Sequence, residues 1–115
     1  MTGAILLGDA VLVARLERAD SVPARMRGLL GRRSLPPGEG LLIERCGAIH
    51  TVGMRFAIDA VFLDRQWRVC RVVPDVRPGR LCVPGGWRAV RCLEVGAGWM
   101  DLDPLCPGLA FTWRP

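Results

Sequence analysis

Residues 56 to 63 read FAIDAVFL, an apolar run broken by a single carboxylate. In an extended chain successive side chains point to opposite faces, so Phe56, Ile58, Ala60 and Phe62 would share one face and Ala57, Val61 and Leu63 the other. Both faces are apolar, which predicts a strand covered on both sides. Asp59 breaks the pattern. Burying an ionised carboxylate costs several kcal/mol, about the strength of a lost ion pair, unless a cation or hydrogen-bond donors answer it.

Working outward, the neighbouring segments punctuate in the same way. WRVCRVV, residues 67 to 73, reads as a strand returning through Asp64, Arg65 and Gln66. RAVRCLEV, residues 88 to 95, gives another strand with Glu94 near its end and GAG after it. Residues 41 to 44 form a short strand after the loop LPPGEG, and LAFTW, residues 109 to 113, places Leu109, Phe111 and Trp113 on one face of a closing strand. Residues 4 to 7 and 10 to 16 are β-like runs split by Gly8 and Asp9, the signature of an N-terminal hairpin. PDVRPGRLCVPGGW, residues 74 to 87, is too rich in Pro and Gly for more than a short extended piece. Only one helix is expected: Ser21 caps it, Pro23 fits its first turn, Val22, Met26, Leu29 and Leu30 recur at helical spacing, and Gly31 stops it. The expected fold is therefore mainly β, a small β-sandwich or jelly-roll-like barrel with one short N-terminal helix, formed as a single domain over residues 1 to 115.

Composition excludes several kinds of chemistry. The chain of 115 residues carries a formal charge of +5, and every cationic side chain other than His50 is Arg. Without Lys there is neither a Schiff-base nucleophile nor a Walker-type phosphate loop. The arginines run from Arg15 to Arg114 without a dense cluster, and no Tyr or aromatic ladder interleaves them, so nucleic-acid binding is not expected. Cysteines 46, 70, 82, 92 and 106 are odd in number and show no paired short spacing, which argues for free thiols in a reducing cytoplasm. MTGAILLGDAVLVARLERADS lacks a basic start and holds Asp9 inside its apolar run, so neither a signal peptide nor a membrane span is expected.

The polar chemistry centres on CGAIHTVGMRFAID, residues 46 to 59, which contains the sole histidine, His50. Cys46, His50 and Met54 offer a soft ligand set of the kind that suits Cu(I). A spacing of four aligns them only on a helix, for which Gly47, Thr51, Val52 and Gly53 are poorly suited. No metal site and no cofactor are therefore expected, and Met54 is assigned to the core. His50, Asp59 and Glu94 are the candidate acid/base groups, with Arg55, Arg25 or Arg32 as anion clamps. The competing reading makes Asp59 and Glu94 structural carboxylates held by Arg side chains and loop amides.

Three blocks in fixed order carry a resemblance: RMRGLLGRRSLPPGEGLLI at 25 to 43, IHTVGMRFAIDAVFLD at 49 to 64 and LEVGAG at 93 to 98. Together they resemble the bacterial and archaeal domain of unknown function 192 family, from about Arg15 to Trp113. The resemblance implies a compact, jelly-roll-like β domain with little helix and no established activity. By position Arg25, Gly28, Leu29 and Gly31 match its Arg and Gly-Leu-Met-Gly block, Asp59 its Leu-Asp carboxylate and Glu94 its Leu-Glu. Ile49, His50 and Thr51 stand where many members carry an aromatic pair and Met, Leu30 stands for the usual Met, and the export signal or lipid anchor of many relatives is not seen.

These readings converge on a non-catalytic ligand-binding or accessory module with a polar cleft. His50, Thr51, Arg55, Asp59, Glu94 and Arg25 would form its binding set, for an unidentified small molecule or protein partner. A small enzyme, a hydrolase using His50, Asp59 and Glu94, is the alternative. An assembly protein is favoured if Trp67, Trp87, Trp99 and Trp113 share one exposed apolar patch.

Overall fold

A computed structural model describes residues 1 to 21 and 28 to 115. The strands are β1 (Thr2–Leu7), β2 (Ala10–Ala19), β3 (Glu39–Glu44), β4 (Ala48–Ile49), β5 (Ile58–Leu63), β6 (Val69–Val76), β7 (Val83–Pro84), β8 (Arg91–Gly96) and β9 (Thr112–Arg114). Seven of them form one sheet in the order β6-β5-β8-β3-β2-β1-β9, and β4 pairs with β7 separately. The domain is mainly β.

The expected helix begins at Ser21 and runs across residues 22 to 27, which lie outside the described residues, as does Arg25. Its final part is not helical. Gly28 and Gly31 have φ of 48° and 83°, and Leu29 and Leu30 sit in a turn between these two left-handed residues. A right-handed helix does not continue through such positions. No helix occurs among the described residues.

The N-terminal hairpin forms as its pattern predicts, with Leu7 opposite Ala10 around Gly8 and Asp9. β3 then lies parallel to β2, with Arg15 opposite Glu39 and Ala19 opposite Ile43. A parallel pair needs a crossover, which residues 20 to 38 supply. β5 has β6 on one side and β8 on the other, both antiparallel, and all six of its residues are buried.

Two hydrophobic clusters lie on opposite faces of this sheet. Ile58, Ala60 and Phe62 pack with Leu41, Ile43, Cys92 and Met54. Val61 and Leu63 pack with Leu42, Leu93, Val95, Ile5 and Leu16. Gly85 is required by this packing, because a Cβ there would run into the Phe62 ring and the Ala89 methyl. At one end of the second face Glu44 accepts hydrogen bonds from Arg18 Nε and Arg91 Nε, each at 2.7 Å. The Arg18 and Arg91 guanidiniums lie 5.8 and 4.2 Å from the Trp67 ring centre, and Trp67 stacks on Trp113 at 6.4 Å.

The segment leading into β9 also contacts the segment leading into β6. Val69 N–H donates to Leu109 O at 2.8 Å, Phe111 N–H donates to Trp67 O at 2.8 Å, and Arg68 and Ala110 form an antiparallel bridge. The strands at the two ends of the strand order are thus linked through the chain beside them.

Candidate functional site

Four polar or charged residues are buried among the described residues: Glu44, Thr51, Asp59 and Glu94. Buried polar groups are normally hydrogen-bonded, so asking what answers each one separates structural groups from candidate functional ones. Glu44 is held by two arginines. Thr51 Oγ1 donates to Arg77 O at 2.7 Å and accepts from Arg80 N–H at 2.9 Å. Its own N–H donates to Arg80 O, and its carbonyl accepts from Met54 N–H and Gly79 N–H. Thr51 therefore pins the 77 to 80 loop to the approach to β5.

Asp59 is answered by backbone amides, one of the two solutions the competing sequence reading allowed. Its Oδ1 accepts from Asp75 N–H at 2.8 Å and its Oδ2 from Gly98 N–H at 3.1 Å. The carboxylate ties the end of β6 to the turn after β8, opposite Val95 in the register.

Glu94 differs. It is 3% exposed, and no hydrogen bond or ion pair to its carboxyl is found among the described residues. Burial alone pushes this carboxyl from the ordinary 4.5 up to about 7. It lines a cavity of about 90 Å³ with Leu29, Leu30, Ile43, Cys46, Ile49, His50 and Met54. The walls are mostly apolar, while His50 is exposed at the rim. Cys92, below Glu94 on the same strand, is fully buried. Burial first, then the Glu94 charge and Cys46, holds its thiol well above the ordinary range, so it behaves as a small apolar group.

The register explains which candidates meet. Glu94 pairs with Ala60, so it projects on the face of Ala60 and Ile58, whereas Asp59 projects on the opposite face. His50 and Glu94 share a cavity; Asp59 faces a different hollow, lined also by Asp75, Gly98 and Trp99. Thr51 is engaged with the loop beside the cavity, and Arg55 is exposed and lines neither hollow. Cys46, His50 and Met54 all line the Glu94 cavity, although no helix aligns them. The reason is the turn closed by Met54 N–H on Thr51 O at 3.2 Å, which folds residues 51 to 54 back. Cys46 Sγ donates to Ala48 O at 3.0 Å, and among the described residues no three of His, Cys, Asp and Glu are grouped as a metal would need.

The four tryptophans form no common patch: Trp67, Trp99 and Trp113 pack against the second cluster, and Trp87 alone is exposed. The sequence reading missed Glu44 and its two arginines. Its signal was the same as that of Asp59, a carboxylate closing the apolar run LLIE of β3. Among the described residues, no helix is long and apolar enough to cross a membrane.

Two solved structures share this fold. A crystal structure of a protein of unknown function from Novosphingobium aromaticivorans DSM 12444 superposes with a TM-score of 0.81 at 20% identity, covering 98% of this chain and 84% of that one. Another, from Sinorhizobium meliloti 1021 and provisionally described as a transcription regulator, gives a TM-score of 0.77 at 18% identity, covering 97% and 92%. At such identities the likeness establishes the fold alone. No curated protein matches the chain. The family profile described as DUF192, Uncharacterized ACR, matches residues 5 to 113, and so takes in the β1 to β9 sheet, Asp59 and the Glu94 cavity together. With that extent of match, the chain belongs to the domain of unknown function 192 family.

Proposed function

We propose that residues 1 to 115 act as a non-catalytic ligand-binding module whose site is the cavity beneath His50, with Glu94 as its anchor. The observation that carries this reading is the buried Glu94 carboxyl, which lines the cavity and has no hydrogen bond or ion pair to another described residue. A group in that condition opposes folding, which makes it a candidate for a role in binding. Apolar walls and one acceptor suit the tip of a small molecule bearing a hydrogen-bond donor, and a cationic donor once Glu94 ionises. A hydrolytic reading that joins His50 and Glu94 to Asp59 has less support, because Asp59 projects from the other face and its two oxygens are taken by backbone amides. The scaffold we infer is a sheet closed on itself like a small barrel, supported by the Arg68 and Ala110 bridge. A cytoplasmic setting is in keeping with five cysteines of which none forms a disulfide.

Thermal unfolding at pH 8 in the presence of short alkylammonium ions, guanidinium and short alcohols tests the site. Binding to the native state raises the melting temperature in proportion to ligand excess. A dose-dependent rise with the alkylammonium or guanidinium ions, abolished in Glu94→Gln and reduced in His50→Ala, is the expected result. An unchanged melting temperature with every probe, or the same rise in Glu94→Gln, would remove the proposal.

A further inference from the structure

Trp87 is 88% exposed, the most exposed large apolar side chain among the described residues. Leaving an indole in water forgoes a large burial gain, and Trp is enriched at interfaces. Its surroundings have a definite chemistry. The Arg88 guanidinium lies 4.6 Å from the Trp87 ring centre. Two adjoining hollows of about 350 and 360 Å³ flank the pair, and both are lined by Asp64, Arg68, Trp87 and Arg88. One adds Arg65. The other adds Gly85, Gly86 and Gly108, and at Gly86 and Gly108 the space a side chain would take is open, which lets a ligand approach the backbone closely. Arg71 borders the same loop, with Nη1 donating to Pro84 O at 2.6 Å.

The fold thus gathers arginines that are scattered along the chain. None of Arg65, Arg68, Arg71 and Arg88 takes part in an ion pair among the described residues. The one carboxylate in the patch, Asp64, already accepts from Gln66 N–H at 2.8 Å and Arg68 N–H at 2.9 Å. Three guanidiniums around one acid, with Arg71 beside them, concave ground on both sides and an exposed indole form a stacking platform set in a cationic groove. Single-stranded nucleic acid matches each part: a base stacks on Trp87 while flanking phosphates meet Arg65, Arg68 and Arg88. A flat anionic membrane surface would leave the two hollows unfilled.

We propose that the Trp87 and Arg88 platform binds single-stranded nucleic acid, independently of the Glu94 cavity. Fluorescence anisotropy with labelled oligodeoxythymidine and oligouridine of about twelve nucleotides measures it. Binding should weaken at least tenfold between about 50 and about 200 mM salt, through counterion release. Trp87→Ala removes no charge and, because the side chain is exposed, leaves the fold intact; it should weaken binding about tenfold by loss of stacking. Arg65→Ala with Arg68→Ala should flatten the salt dependence, whereas Arg15→Ala, whose side chain faces Glu39 at 4.0 Å, should do so far less. Absence of binding at low salt, equal affinity in Trp87→Ala, or capture by phosphatidylglycerol vesicles without oligonucleotide binding would each overturn the assignment.

Discussion

Glu94 makes the stability of this domain depend on pH in an unusual direction. Most carboxylates in folded proteins are stabilised as anions, but here burial favours the protonated form. Below about pH 4.5 the group is protonated in folded and unfolded chains alike and contributes no difference. As pH rises towards 7 the unfolded chain ionises first, so stability falls, and above 7 the whole penalty is present. A rise from 4.5 to about 7 corresponds to a loss on the order of 3 kcal/mol by pH 8. Glu94→Gln removes the ionisation and should therefore stabilise the domain at pH 8 by about 2 to 3 kcal/mol, with little gain at pH 5. Urea unfolding midpoints of both proteins at the two pH values decide the matter: parallel curves would mean that Glu94 does not titrate as a buried group. Asp59 and Glu94 look alike in sequence, each a lone acid in an apolar strand. Their difference lies in the register, since Ala60 opposite Glu94 puts the two acids on opposite faces. That register is a property of the pair of strands and cannot be read from either alone.

Among the elements, those that bury a continuous apolar run were legible in the sequence. FAIDAVFL contains β5, RAVRCLEV holds all of β8 but its last residue, Gly96, and the Gly8 and Asp9 break became the hairpin turn. What alternation and turn residues do not encode is the choice of neighbour, so the parallel β2 and β3 pair went unread. Two-residue strands such as β4 and β7 are likewise too short to leave a pattern. Their pairing still matters, because it seats residues 83 to 85 over the first cluster. Val83 is buried, Gly85 N–H donates to Gly47 O at 2.9 Å, and the Phe62 ring occupies the space where a Gly85 side chain would lie. Gly85→Ala should accordingly destabilise by about 1 to 3 kcal/mol, the usual cost of overpacking a filled site. Gly86→Ala is not an equivalent control, since its φ of 99° is strained for any side chain. Chemical denaturation checks the effect, and an unchanged midpoint for Gly85→Ala would show that β7 can shift away from Phe62.

At the scale of the molecule, β1 lies between β2 and β9, with Ala4 opposite Arg114 and Leu7 opposite Ala10. The register carries the chain past Arg114 towards Gly3, so residues 1 and 115 lie at the same end of these strands, and β1 is hydrogen-bonded to two strands although it is joined by a short turn to only one. Connectivity and architecture are separable at this point. A chain reordered to begin at Asp9, with Pro115 joined to Met1 by about four residues and its new end at Gly8, exchanges the β1 and β2 hairpin for a β9 and β1 hairpin. Every ladder in the sheet is kept. Such a circular permutant should unfold cooperatively with a native-like circular dichroism spectrum, and it should fold by a different sequence of events, because β1 would then be the final strand to be made. A permutant that stays unfolded would instead identify the Gly8 turn as indispensable to the topology, and not merely as the shortest way between two strands.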